Sequence, residues 1–206
     1  MADPATQPRP PGIVLLAAGG STRFGSEKLL TLVEGKRLID WATSAAVESG
    51  LEPIWIVTRP DLPLSLIHPA ITIVKNTSWK EGLASSIRSA IDAAREAAID
   101  GLLFAPADQP FLTSAIYRRL AGQFQKTYPR TLAASYGGQI RNPVLLARPN
   151  WPLAAPLQGD TGLSTLIRNP QTLAVDCSDI GSLFDIDTPE DLEKIRKCRH
   201  PTRLHA

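Results

Sequence analysis

The sequence predicts one three-layer α/β/α domain around a mostly parallel sheet with a hairpin insertion, on three observations. Apolar runs such as Ile13–Ala17, Pro53–Thr58 and Gly101–Ala105 lack polar alternation, the pattern of parallel strands covered on both faces. Between them, apolar residues recur at three- and four-residue steps, so strand, loop, helix and strand follow one another as in a right-handed crossover. The 206 residues, 43% hydrophobic and 20% charged, suffice for one sizeable core and are short for two.

The start of the chain, Met1 to Pro11, is rich in proline and lacks the basic and apolar segments of a signal peptide. A disordered arm over residues 1–11, a folded domain over 12–199 and a flexible tail over 200–206 are expected. The first strand, Ile13–Ala17, stops at Ala18-Gly19-Gly20. Leu38, Trp41, Ala42, Ala45, Ala46 and Ser49 then predict a helix, which Gly50 ends in a left-handed conformation. Pro53–Thr58 is the second strand, residues 59–69 carry three prolines and little periodicity, and Ile71–Val74 is a short third strand. A polar loop around Trp79 reaches Gly82, after which Ile87, Ala90, Ile91, Ala94 and Ala98 predict a long amphipathic helix from Leu83.

Gly101–Ala105 runs into Pro106-Ala107-Asp108-Gln109-Pro110, and Thr113 or Ser114 caps a helix through Ile116, Leu120 and Phe124. Thr131–Ser135, the turn Tyr136-Gly137-Gly138-Gln139 and Asn142–Ala147 read as a hairpin that breaks the alternation. It is either an insertion projecting from the sheet or a plain edge hairpin. Thr172–Val175 is a last short strand. Thr188-Pro189 followed by Glu190 and Asp191 opens a helix to about Cys198.

Composition excludes several functions. No apolar run approaches the roughly 20 residues of a membrane span, and a net charge of +2 with interspersed signs argues against nucleic acid. Cys177 and Cys198 have no C-x-x-C or histidine-spaced partner, so free thiols in a reducing cytoplasm are expected and a zinc site is not. His68, His200 and His205 fall in loops or the tail, which leaves no Ser-His-Asp or Cys-His arrangement.

The chemistry concentrates where the first strand ends. Gly19-Gly20 can leave backbone N–H groups uncovered, and Ser21, Thr22, Arg23 and Lys28 add hydroxyls and cations, the composition of an anion-binding loop. Walker A is excluded because Gly25 is followed by Ser26-Glu27-Lys28, and the dinucleotide fingerprint because G-x-G-x-x-G is absent after Gly19. A plain Gly-rich strand-to-helix turn remains the alternative. Asp108 stands beyond the carboxyl end of a strand, where ligands of open parallel sheets bind, and the nearby helix already has Thr113 or Ser114 as its cap.

Leu16-Ala17-Ala18-Gly19-Gly20-Ser21-Thr22-Arg23-Phe24-Gly25-Ser26-Glu27-Lys28 matches the nucleotidyltransferase pattern L-A-x-G-x-S/T-x-R-x-G-x-x-K. On it the chain resembles the molybdopterin nucleotidyltransferases, and most their molybdenum cofactor cytidylyltransferase branch, over roughly Gly12 to Arg196. The resemblance implies a Rossmann-like fold of the nucleotide-diphospho-sugar transferase type. It implies that residues 16–21 wrap the base and triphosphate of an NTP, with Arg23 and Lys28 countering the phosphates. Ala18, where the guanylyltransferase branch tends to have Gly, favours CTP over GTP. In the family a W-x-x-G-x-x-x-S segment borders the nucleotide, here Trp79 to Ser86. Gly82 is therefore expected to let the loop approach base or ribose, and Ser86 to offer a hydroxyl.

The same resemblance makes Asp108 a Mg²⁺ ligand, and a D-x-x-T pattern before the last helix makes Asp185 the second, with Asp187 in reserve. Acceptor-binding residues carried over are Arg141, Asn142, Pro143, Gly159 and Asp160. Two departures are visible: Arg141 stands where the family has Gly, and Leu163-Ser164 follow Gly162 where an Arg is often found. The Arg141 guanidinium is expected to supply the acceptor site with the anion contact that relatives draw from that later Arg.

These residue types suit transfer of a nucleotidyl group. Two carboxylates can hold Mg²⁺, cations can stabilise charge moving onto pyrophosphate, and an ionised acceptor needs no side-chain base. The expected reaction is CMP transfer from CTP to molybdopterin cofactor, with a molybdoenzyme apoprotein as a further partner. The alternatives are transfer to a sugar- or polyol-phosphate on the same fold, and a non-catalytic chaperone that delivers the cofactor.

Overall fold

The computed structural model describes residues 7–20, 27–64 and 67–181. Seven of their strands form one sheet, in the order β5 (Ile71–Lys75), β4 (Ile54–Thr58), β1 (Gly12–Ala17), β6 (Gly101–Pro106), β8 (Gln139–Ala147), β7 (Thr131–Tyr136) and β9 (Leu173–Asp176). Strand β1, third in that order, pairs in parallel with β4 on one side and β6 on the other, and β4 pairs in parallel with β5. Alternate residues of β1 point to opposite faces. Ile13 and Leu15 join a core with Ile39, Ile116, Leu120 and Phe124 of helices α1 (Leu38–Glu48) and α3 (Ser114–Thr127). Val14 joins the opposite core with Ala84, Ile87 and Ala90 of α2 (Leu83–Ala93). Unbroken apolar strands and one-sided helices thus give the three layers expected.

Several boundaries have local causes. Helix α1 stops at Gly50, whose φ of 73° is the left-handed end that the sequence predicts. Thr113 occupies the cap position of α3, but its hydroxyl donates to the Ile180 carbonyl at 3.1 Å instead of capping the first turn. Helix α2 ends at Ala93, short of the Ala98 that its apolar spacing suggests. Beyond it the Arg95 and Ala97 N–H groups bond three residues back, to Asp92 and Ala94, and the Arg148 guanidinium donates to the carbonyls of Arg95, Ala97 and Ile99, which a helix ending here leaves without partners. A two-stranded hairpin, β2 (Leu32–Val33) and β3 (Lys36–Arg37), precedes α1 and turns through Glu34 and Gly35, both at positive φ. Strands of two residues carry no readable period.

The predicted hairpin is β7 (Thr131–Tyr136) and β8 (Gln139–Ala147), turned by Gly137 and Gly138 at φ 54° and 79°. It neither projects from the sheet nor forms its edge. Strand β8 runs antiparallel between β6 and β7, and the short α4 (Ser164–Ile167) leads to β9 (Leu173–Asp176), which pairs in parallel with β7 as the outer strand. Register jumps from Ala133↔Val144 to Ala134↔Arg141, so Asn142 and Pro143 bulge out of the ladder.

At the other end, the Arg9 N–H donates to Asp100 at 2.7 Å and Pro11 is buried, which fastens the last residues of the Pro-rich arm to the domain. Asp185, Asp187, the helix expected from Thr188 and the tail lie outside the described residues, as do Ser21 and Arg23. No helix among the described residues is long and apolar enough to cross a membrane.

Candidate active site

Three parallel strands deliver the site. Where β1 ends, Ala17 and Ala18 are buried and Gly19 and Gly20 are exposed. Gly19 does not use positive φ, and a Cβ added there would meet nothing within 4 Å. Its bareness opens space on the cleft side and relieves no strain. Beside it, the Ala107 N–H at the end of β6 donates to the Leu16 carbonyl at 3.0 Å, and Asp108 follows.

Lys28 starts a single 3-10 turn, Lys28–Leu30, and although 8% exposed it donates from Nζ to Asp108 Oδ2 at 2.8 Å. An ammonium this buried needs a charged partner, and the carboxylate supplies it. The Asp108 side chain keeps 31% of its surface exposed toward the cleft, the more open half of the pair.

The next wall is the start of α2. Gly82 has φ 90°, and its absent side chain makes room for protein: a Cβ would stand 2.3 Å from Gly159 C and 2.8 Å from Asp160 N. The Ala84 N–H donates to the Gly159 carbonyl at 3.0 Å, and Gly162 leaves room for Leu83 in the same way. Gly82 thus lets two walls of the cleft meet, where the resemblance implied approach to base or ribose. Ser86 is 3% exposed and lines the cleft. Asn76 Nδ2 donates to Ser85 Oγ at 2.8 Å and to Ser86 Oγ at 3.0 Å, which orients both hydroxyls.

These parts enclose a cleft of about 600 Å³. It brings together Leu16, Ala17, Ala18, Gly19, Gly20, Lys28, Gly82, Ser86 and Asp108 from the expected donor side, and Asn142 and Asp160 from the expected acceptor side. Gly159 stands behind the wall and supports it, and Pro143 is buried in the bulge. Arg141 does not join them. It is exposed and donates to the Ile140 carbonyl at 3.1 Å and to Gln139 Oε1 at 2.7 Å, within its own hairpin. A side chain next to a bulge cannot be aimed by counting alternate residues, and the guanidinium expected in the acceptor site is absent from the cleft lining.

Two organising residues escape sequence reading. Asn76 is 2% exposed and holds the serines. Arg59, 6% exposed, follows β4 directly and donates to the Gly19 carbonyl at 3.1 Å. Its position beyond the carboxyl end of a strand was the available signal, obscured by Pro60 and the proline-rich stretch. Among the described residues there is no group of three or more His, Cys, Asp or Glu able to hold a metal.

The family model of the MobA-like NTP transferase domain matches residues 13–175. The purine catabolism protein PucB of Bacillus subtilis is 26% identical, over 90% of this chain and 95% of its own length. The molybdenum cofactor cytidylyltransferase of Escherichia coli is 22% identical, over 86% and 91%. Among solved structures, a homologue of Mycobacterium tuberculosis rv0371c from Mycobacterium sp. strain JC1 superposes with a TM-score of 0.78 at 22% identity, covering 91% of this chain and 95% of the other. The M. tuberculosis Rv0371C complex with manganese does so at 0.72 and 20%, covering 91% and 98%. The fold shared with them is the Rossmann-like α/β fold of the nucleotide-diphospho-sugar transferases.

Proposed function

The chain belongs to the MobA-like NTP transferase domain family, and on that premise we propose that it transfers CMP from CTP to molybdopterin cofactor and releases pyrophosphate. The observation that carries the reading is the meeting of bare Gly19-Gly20 backbone, the Lys28–Asp108 pair at 2.8 Å and the buried Ser86 on one cleft of about 600 Å³.

In the proposed reaction an acceptor phosphate oxygen attacks the α-phosphorus in line, and the bond from that phosphorus to the β-phosphate bridging oxygen breaks. The pair of electrons leaves with pyrophosphate. The Gly19 and Gly20 amides fix the triphosphate, and Lys28 and Arg23 stabilise charge accumulating on the leaving group. Ser86 offers its hydroxyl to base or ribose. Asn142 and Asp160 meet the acceptor from the opposite wall.

Asp108 suits Mg²⁺, which takes one or two hard carboxylate oxygens and fills its remaining positions with water and substrate phosphates. Its carboxylate is partly exposed on the cleft, and with Asp185 it would hold the ion. When bound, the metal supplies Lewis-acid polarisation of the α-phosphate. A relative crystallised with manganese supports a divalent cation. Ala18, buried at 6% on the cleft wall, supports a pyrimidine base by adding a methyl group where the guanylyltransferase branch tends to have Gly.

A folded domain over residues 12–199, a cytoplasmic location and a molybdoenzyme apoprotein as recipient belong to the same proposal. Delivery of the cofactor without transfer is the second reading. Pyrophosphate release with Mg²⁺, from CTP or GTP, with and without molybdopterin cofactor, separates the readings. Release that needs the cofactor and is faster with CTP is expected. Faster release with GTP would overturn the base assignment, and tight CTP binding without release would favour delivery.

A further inference from the structure

We propose that Arg59 is the positioning residue of the donor half of the cleft: its guanidinium sets where the Gly19 backbone and Lys28 stand and so governs NTP binding. The inference rests on the nucleotidyltransferase reading. Arg59 does not line the cleft. A guanidinium carries its N–H donors in a rigid planar fork, and here the fork serves several segments at once. Nε donates to Asp61 Oδ1 at 2.9 Å, Nη1 to the Gly19 carbonyl at 3.1 Å, and Nη2 to the Glu27 carboxylate.

Gly19 and Glu27 stand on either side of residues 20–26 in the sequence, so one planar group fixes the separation of the two points between which they run. Glu27 is also the covalent neighbour of Lys28, and its carbonyl accepts the Leu30 N–H at 2.9 Å, closing the turn that carries Lys28. Lys28 then reaches Asp108. A continuous path runs from the end of β4 through Glu27 and Lys28 to the end of β6. On one face of the guanidinium, its carbon lies 5.7 Å from the centroid of the Trp79 ring, which walls the cleft.

A partly buried ion pair such as Arg59–Glu27 alone says little about stability, since replacing both charges by neutral groups of similar size is often tolerated. What marks Arg59 is that Gly19, Glu27 and Trp79 come from three separate segments that meet only beside the cleft. Lysine offers a point charge on a flexible stem and cannot reproduce that fork.

The test uses the whole chain and CTP with Mg²⁺, and measures binding by titration calorimetry, melting temperature, and KM for CTP and for acceptor. Two variants are compared: Arg59→Lys, and Arg59→Met combined with Glu27→Gln, which removes both charges of the pair. Asp61→Asn serves as a control at an exposed partner. Both test variants are expected to bind CTP about tenfold more weakly or worse. KM for CTP rises while KM for acceptor stays within about twofold, even where the double variant melts with the unaltered chain. A double variant that recovers CTP affinity along with stability would overturn the inference, as would Arg59→Lys binding CTP normally. Failure of the unaltered chain to bind any NTP would remove the donor reading itself, and this inference with it, before any variant is compared.

Discussion

The two walls of the cleft are held in different ways. The donor wall is fixed by buried side chains: Lys28 on Asp108, Arg59 on Gly19 and Glu27, and Asn76 on Ser85 and Ser86, with Lys28, Arg59 and Asn76 no more than 8% exposed. The acceptor wall is fixed by main chain. Gly159 packs on Gly82 and accepts from the Ala84 N–H, and one side chain joins in, the half-buried Arg88, whose guanidinium donates to the Leu157 carbonyl at 2.6 Å. The side chains it presents, half-buried Asn142 and exposed Asp160, contribute little to that framework. In the proposed reaction the charges that would meet a triphosphate are thus set in advance, whereas the side chains proposed to meet the acceptor can be exchanged with less disturbance to the fold. Of the two departures, Arg141 lies outside the cleft and Leu163 is buried in the core beside it.

The largest break in this contrast is expected at Asp108. Asp108→Asn keeps a hydrogen-bond acceptor beside Lys28 but loses the carboxylate proposed to hold the metal, so turnover is expected to fall by about 10²-fold or more while CTP binding stays within a few-fold. Pyrophosphate release and titration calorimetry measure the two, and near-normal turnover would take Asp108 out of the metal site.

Next come two glycines. Gly82→Ala drives a methyl into the Gly159 backbone at positive φ and should cost about 2–3 kcal/mol, read from the urea midpoint. Gly19→Ala meets no neighbour, so stability should change by less than about 0.5 kcal/mol while KM for CTP rises. Equal effects of the two on stability would erase the distinction between a wall joint and a ligand surface.

Smaller effects belong to the acceptor side. Asp160→Asn should raise acceptor KM by about tenfold and leave CTP KM within about twofold, and Arg141→Ala should change neither beyond about twofold. A large acceptor effect from Arg141 would mean that its hairpin contacts give way when substrate binds.

A last effect is general to the core and independent of either wall. Burial first, and nearby Asp176 and Asp179, push the Cys177 thiol up from 9.0 to about 11, although Arg119 opposes the rise. Desolvation also holds the Tyr117 and Tyr136 hydroxyls above their ordinary range. For each group the folded value exceeds the unfolded one, so the neutral form's stabilisation is complete below pH 9 and is lost as pH rises. The urea midpoint should therefore decline between pH 9 and 11, with a shallower decline in Cys177→Ala.

Much of the sheet was legible because its strands are apolar on both faces, and Ile13, Ile54 and Leu102 begin runs with no competing period. What was not legible depends on distant contacts. The carbonyls left at the end of α2 are satisfied by Arg148, 49 to 53 residues away, and the place of β8 between β6 and β7 is made by pairings that no local pattern encodes. Within the site, Gly19, Lys28 and Asp108 stand in a linear motif or at a strand end and were readable. Arg59 and Asn76 act on residues 40 and 9 to 10 positions away, Gly82 on a loop still farther along the chain, so their roles appear only once the chain is folded.

The central claim is that the preset donor wall hands a nucleotidyl group to an acceptor on the opposite wall. A single-turnover reaction with CTP labelled at the α-phosphate, Mg²⁺ and molybdopterin cofactor tests it most directly. Transfer of the label to the cofactor, in step with an equal amount of pyrophosphate, is the predicted result. Label that remains in bound CTP, or appears as free CMP, would contradict it.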